Sequence, residues 1–288
     1  MKSICSLSDV EFKVFSQFGE DGIIDWLVER ARIPRYLRTF VEFGVESYAE
    51  SNTRFLLENR NWSGFVLDGN PANIELLRKR DSQLSWHRNL IARSAFVTRE
   101  NINDLLTGAG ISGEIGLLSI DVDGNDYWVW DAITAVSPII CICEYNAVFG
   151  DVWPITIPYE QGFVRTRKEF HNLYFGASIT ALQSLAKSKG YLFLGTTSEG
   201  VNAFFIREDY GRHLAGLIAG PVSHPSSIQE SRDQSGHLSY ARGVDKLFLI
   251  RDLPVINTQT GKEQALGDLN PVYSDEWLKI IMFAQPNT

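Results

Sequence analysis

Four short apolar runs in this chain each break off at an acid: "FVEFG" (40–44), "FVLDG" (65–69), "LLSIDVDG" (117–124) and "ICEYN" (142–146). Short, nearly unbroken apolar runs suit strands buried on both faces. Helical spacings lie between them, in "SNTRFLLENR" (51–60), "PANIELLRKR" (71–80), "TRENINDLLTGAGI" (98–111) and "DYWVWDAITAV" (126–136). "SWHRNLIA" (85–92) reads as a further strand, and "EDGIIDWLVERARI" (20–33) as a helix ahead of the first one. This alternation predicts an α/β fold, a mostly parallel, doubly wound, Rossmann-like sheet with helices on both faces. "YLFLGTTSEGVNAFFIRED" (191–209) reads as two strands about a turn that close the sheet with an antiparallel last strand. In such sheets ligands bind at the carboxyl ends of the strands, where these acids collect.

The pattern divides the chain into an N-terminal cap segment (1–36), the sheet domain (37–208) and a C-terminal extension (209–288). A stretch rich in aromatic and basic residues (147–175) interrupts the domain and is long for a connection, as lids and binding loops are. In the extension, "DKLFLIRDLPVI" (245–256) and "EWLKIIMFA" (276–284) read as a late strand and a helix. Its polar stretches offer a surface for self-association into a homo-oligomer.

A formal net charge of -8 argues against a nucleic-acid partner. No apolar run approaches a membrane span, and the first residues lack the apolar core of a signal peptide. The chain is therefore expected in the cytoplasm, without a membrane partner. Cys141 and Cys143 alternate on one face of a strand and read as small buried hydrophobes rather than a redox or metal pair.

The first two strand ends carry the cofactor argument. Glu42 and Gly44 close the first, and Asp68 closes the second about two dozen residues later. An acid at the second position grips the ribose hydroxyls of a nucleoside cofactor, and the glycine lets the backbone approach it. The G-x-G-x-x-G of dinucleotide sites is missing, and Glu46 would repel a pyrophosphate. S-adenosylmethionine, with a positive sulfonium and no phosphate, fits such a loop better than NAD.

Five blocks in this order resemble the FkbM-type S-adenosylmethionine-dependent methyltransferases: "SQFGEDGII" (16–24), "FVEFGVESYAESNTRFLLENRNWSGFVLDGNP" (40–71), "LLSIDVDGNDYWVW" (117–130), "ICEYN" (142–146) and "ASITALQSLAKSKGYLFLGTTSEGVNAFF" (177–205). The resemblance implies a Rossmann-like methyltransferase fold with S-adenosyl-L-methionine as cofactor. It places Glu42, Gly44, Ser51, Asn52, Asp68 and Asp121 at that cofactor. Gln17, Glu20 and Asp21 would lie on a cap beside it.

Methyl transfer to a hydroxyl needs a general base, a metal that acidifies the hydroxyl, or both. Asp121 and Glu144 end neighbouring strands, and Asn146 adds an amide oxygen. Such an oxygen-only set suits Mg²⁺, Mn²⁺ or Ca²⁺. Metal-dependent sugar O-methyltransferases are similar in the acids at these two strand ends. In one register Asp121 and Asp123 are metal ligand and base; in another Asp126 stands at the base position. Asp126 or Asn125 also fits the N-cap of the following helix. Tyr145 and His171 are acceptor-contact candidates. Arg165, Arg167 and Lys168 read as a solvated face, and Trp128 and Trp130 as packing. His87, His213, His224 and His237 show no metal spacing. The expectation is O-methylation of a sugar, glycoside or related small metabolite, the acceptor being a small molecule or glycan. N-methylation, an NAD-dependent sugar enzyme and a non-catalytic binding protein are the alternatives.

Overall fold

The computed structural model describes residues 4–83, 89–214 and 217–283. His87, the side chain of His213 and the start of "SWHRNLIA" lie outside them. Seven strands form the main sheet: β1 (Thr39–Phe43), β2 (Ser63–Asp68), β3 (Leu90–Ser94), β4 (Gly113–Ile120), β5 (Val136–Glu144), β7 (Tyr191–Thr196) and β8 (Asn202–Arg207). Their order is β3-β2-β1-β4-β5-β8-β7. The first five pair in parallel, and β8 is antiparallel to both β5 and β7. The expected Rossmann-like sheet is present. Its last strand in sequence sits inside the sheet, not at the edge, and it alone runs backwards.

Alternate strand residues supply two cores. Phe40, Leu117, Ile140 and Ile142 face one side, with Ile23, Ile24 and Leu27 of α1 (Glu20–Arg30) and Leu56 and Leu57 of α2 (Arg54–Arg60). Leu77 of α3 (Pro71–Gln83) joins the same side. Val41, Phe43, Leu118, Cys141 and Cys143 face the other. There they meet α4 (Ile102–Thr107), α5 (Asp126–Ala132) and α7 (Ile179–Ser188). The two cysteines are fully buried among hydrophobes, as their alternation suggests. Trp130 is core as well, its ring centroid 4.9 Å from that of Phe205.

The inserted stretch holds β6 (Ile155–Thr156) and α6 (Arg165–Lys168). Strand β6 pairs with β9 (Pro254–Asn257), which pairs with β10 (Glu263–Ala265), so the insertion and the C-terminal region share a second sheet. A short helix α8 (Glu208–Gly211) follows the main sheet. The first half of "DKLFLIRDLPVI" is helix α9 (Val244–Ile250) and not strand; β9 takes only its last residues. Its lysine and apolar residues fall on helical faces, Ile250 in the core and Phe248 in solvent. Helix α10 (Asp275–Phe283) completes the chain, with Trp277 and Ile281 packed on the same core. No helix among the described residues is long and apolar enough to cross a membrane.

Candidate active site

Strand order reverses between β1 and β4, and a cleft of about 300 Å³ opens over their carboxyl ends. Gln17, Glu42, Gly44, Ser51, Asn52, Asp121, Asp123, Glu144, Tyr145 and Asn146 all line it. Asp68, Asp126 and His171 do not.

Glu42 organises the first loop. Its Oε2 accepts from the Ser51 hydroxyl at 2.6 Å and from the Thr53 N–H at 3.2 Å, and its Oε1 from the Asn52 N–H at 2.8 Å. The carboxylate therefore holds the turn that leads into α2 and sets an acid where a dinucleotide's pyrophosphate would approach. Burial pushes its pKa up, with the four donor contacts of Ser51, Asn52 and Thr53 opposing. Asn52 ties this corner to β4 through Ser119 Oγ at 3.0 Å.

Gly44 has φ +71°, and a Cβ there would meet the Asp121 carbonyl oxygen at 1.7 Å. The loop continues through two left-handed non-glycine residues, Glu46 and Tyr48, where a glycine-rich motif would place glycines. Such conformations cost roughly 1–2 kcal/mol each. Asp68 offsets part of this by accepting from the Glu46 N–H at 2.7 Å with Oδ2. Its Oδ1 accepts from the Asn70 N–H at 2.8 Å and Asn73 Nδ2 at 3.0 Å. Asp68 thus holds the shape of the first loop from behind.

After β4 the chain turns through "DVDGND". Asp126 accepts from the Val122 N–H at 2.7 Å and the Gly124 N–H at 3.0 Å, and it is fully buried. This corrects its assignment as a base: both oxygens brace the turn that presents Asp121 and Asp123. Asn125 is the N-cap residue of α5. Burial pushes Asp126 up to about 6 against those backbone donors. An acid raised in the folded state stabilises most below its unfolded value, near pH 4, and that contribution is lost as pH rises through about 6. The difference between about 4 and about 6 corresponds to ~3 kcal/mol. Asp126→Asn should remove this slope. In urea denaturation, the stability difference between wild type and variant is expected to change by about that amount between pH 4 and pH 7; a constant difference would contradict it.

Asp121, Asp123 and Glu144 converge, their nearest oxygens lying within 4.8 Å of one another. Burial, then mutual repulsion, pushes Asp121 and Glu144 well above the ordinary carboxylate range. Glu144 Oε2 is buried and has no partner among the described residues. Asp123, in a left-handed conformation, keeps its side chain 68% exposed.

Arg165 overturns its reading as a solvated residue. Arg167 and Lys168 are exposed, but Arg165 is buried against the acids. Its Nη1 donates to Asp123 at 3.1 Å, its Nη2 to Glu230, and its Nε and Nη2 to the Asn172 carbonyl. The guanidinium lies 3.7 Å from the Phe175 ring centroid. It serves as the cluster's internal counter-charge.

Asn146, expected as a ligand, also holds the backbone around it. Its Oδ1 already accepts from the Val148 N–H at 3.0 Å, and its Nδ2 donates to the Leu173 and Phe175 carbonyls, knitting the insertion to β5. His171 pairs with Glu169 at 2.6 Å and stacks on Phe170, so it is not an acceptor contact of this cleft. Tyr145 lines the cleft, with its hydroxyl donated to the His224 carbonyl.

Lys246 and Asn202 are among the cleft residues that escaped the sequence reading. Lys246 of α9 is 5% exposed and donates to the Ile228 carbonyl. Burial lowers its pKa to about 8, with Glu230 opposing. Asn202, the first residue of β8, is 6% exposed. A lone lysine in a short amphipathic helix and a polar residue after a turn carry no spacing signal that could have singled them out.

No protein-family model and no curated protein matches the chain. Among solved structures, the N-terminal domain of EvdMO1 with SAH bound is similar at 13% identity, over 67% of this chain and 80% of that one, with a TM-score of 0.43. An S-adenosylmethionine-dependent methyltransferase from Clostridium acetobutylicum is similar at 12% identity, over 65% and 90%, with a TM-score of 0.40. PKMT2 from Rickettsia typhi in complex with AdoHcy is similar at 8% identity, over 69% and 55%, with a TM-score of 0.45. None of the three is close enough to assign an activity, which has to be argued from the cleft itself.

Proposed function

We propose that the chain is an S-adenosylmethionine-dependent methyltransferase of FkbM type that O-methylates a hydroxyl of a sugar, glycoside or related small metabolite. One observation carries the cofactor choice. The Glu42 carboxylate accepts from the Asn52 and Thr53 N–H groups immediately ahead of the helix after β1. A pyrophosphate would meet a buried anion there, whereas a sulfonium cofactor meets an acid-lined loop. Gly44 lets the end of β1 close against the Asp121 carbonyl, which brings the two acid-bearing loops to one edge of the cleft.

In the reaction, the acceptor oxygen attacks the methyl carbon in line. The carbon–sulfur bond breaks with its electron pair passing to sulfur, leaving S-adenosylhomocysteine. The hydroxyl proton passes to Asp123, the acid of the cluster that stays open to solvent. Oxygen donors, close approach and an unpartnered buried carboxylate oxygen together fit a hard divalent cation at Asp121 and Glu144, beside Asp123. Such an ion would acidify a bound hydroxyl.

Calorimetry tests the reading. S-adenosylhomocysteine is expected to bind and NAD is not, and Asp68→Ala should weaken the homocysteine adduct at least tenfold by releasing the first loop. Binding of NAD alone would overturn the proposal. Turnover unaffected by a chelator would remove the cation from it.

A further inference from the structure

We propose that Asn202 supplies the neutral oxygen ligand of the cation site and that Glu20 positions it. This inference rests on the cation reading above and adds a residue from a strand that the acids do not use.

Six buried side-chain oxygens among the described residues lack a hydrogen-bond partner. Only two of them, Glu144 Oε2 and Asn202 Oδ1, belong to residues lining the cleft. These two residues face each other across the β5–β8 ladder. Directly opposed residues of an antiparallel pair lie with Cβ atoms roughly 5 Å apart and side chains on one face. One Glu144 oxygen in turn lies within 4.8 Å of an Asp121 oxygen and an Asp123 oxygen. One corner of the cleft therefore gathers three carboxylates and an amide oxygen.

The amide is held, and its orientation follows. Asn202 Nδ2 donates to Glu20 Oε1 at 2.9 Å, and Glu20 Oε2 accepts from the Phe18 N–H at 2.9 Å. An ionised carboxylate only accepts, so the amino side of the amide must face Glu20 and the carbonyl oxygen must face away. Glu20 is fully buried at the start of α1, which fixes this strut. Buried oxygens left without a donor are costly, and a cation that takes both removes the cost. Carboxylates with one amide carbonyl make a set that Mg²⁺, Mn²⁺ and Ca²⁺ accept. Asn146 was the amide expected here from sequence; its oxygen already accepts a hydrogen bond, whereas Asn202's accepts none among the described residues.

The test uses the full chain, freed of metal by dialysis, and needs no acceptor. Free Mn²⁺ is followed by electron paramagnetic resonance during titration, and S-adenosylhomocysteine affinity is measured separately by calorimetry. Wild type is expected to bind Mn²⁺, and Asn202→Leu to weaken it at least tenfold. Should that variant fold poorly, wild type alone still decides: Mg²⁺ should shift the side-chain amide resonances of Asn202 and leave those of Asn146 in place. Equal Mn²⁺ affinity in the variant, or an unshifted Asn202 amide, overturns the assignment while the cation reading stands. Absence of Mn²⁺ binding by wild type overturns both. Failure to bind S-adenosylhomocysteine counts against the methyltransferase reading alone.

Discussion

Gly44→Ala is expected to abolish S-adenosylhomocysteine binding and to lower stability by about 3 kcal/mol or more. Two independent penalties combine. The left-handed φ disfavours any side chain, and the new methyl would stand 1.7 Å from the Asp121 carbonyl oxygen, which is backbone. Relief would have to separate the end of β1 from the turn after β4, the two elements that frame the cleft. Urea denaturation and calorimetry on one preparation check both parts. A variant with the wild-type midpoint and affinity would show that the loop is not held against Asp121 as described.

Glu42→Ala should have an effect of similar size, about 3–5 kcal/mol of lost stability. The Ser51 and Thr53 hydroxyls and the Asn52 and Thr53 N–H groups would lose their shared acceptor in a buried corner. Glu42→Gln is the informative partner. It keeps the volume but sets an NH₂ group where Oε2 now accepts, so it should also destabilise, though by less. Equilibrium denaturation of the pair separates lost packing from lost capping; a glutamine variant as stable as wild type would mean that the carboxylate is not needed as an acceptor.

The sheet was legible because its signals are local. Apolar runs, helical spacings and turn residues recur within a few positions of each other, and the acids at the strand ends mark the working edge. Asp121 and Glu144 were legible for the same reason, since strand ends next to each other in a parallel sheet meet over one cleft. The errors arose where a side chain's fate depends on partners that residue type and spacing do not reveal. Arg165 looks like its exposed neighbours Arg167 and Lys168 until Glu230, from the other side of the insertion, closes on it. Asp126 and Asn146 have the right chemistry for the site but spend it on backbone groups nearby. Lys246 arrives by way of a helix that the apolar residues of "DKLFLI" disguise as a strand.

The reversed course of β8 has a consequence for how the molecule assembles. Parallel strands bring their final residues to the cleft, but β8 brings its first, so Asn202 reaches Glu144 only after the β7–β8 hairpin has slotted in beside β5. That contact spans a long loop in sequence and forms at the expense of considerable chain entropy. A refolding chain could thus complete β1 to β5 and still lack one wall of its metal corner. Mn²⁺ uptake during refolding would time the arrival of the hairpin, a step that helix content alone would not register.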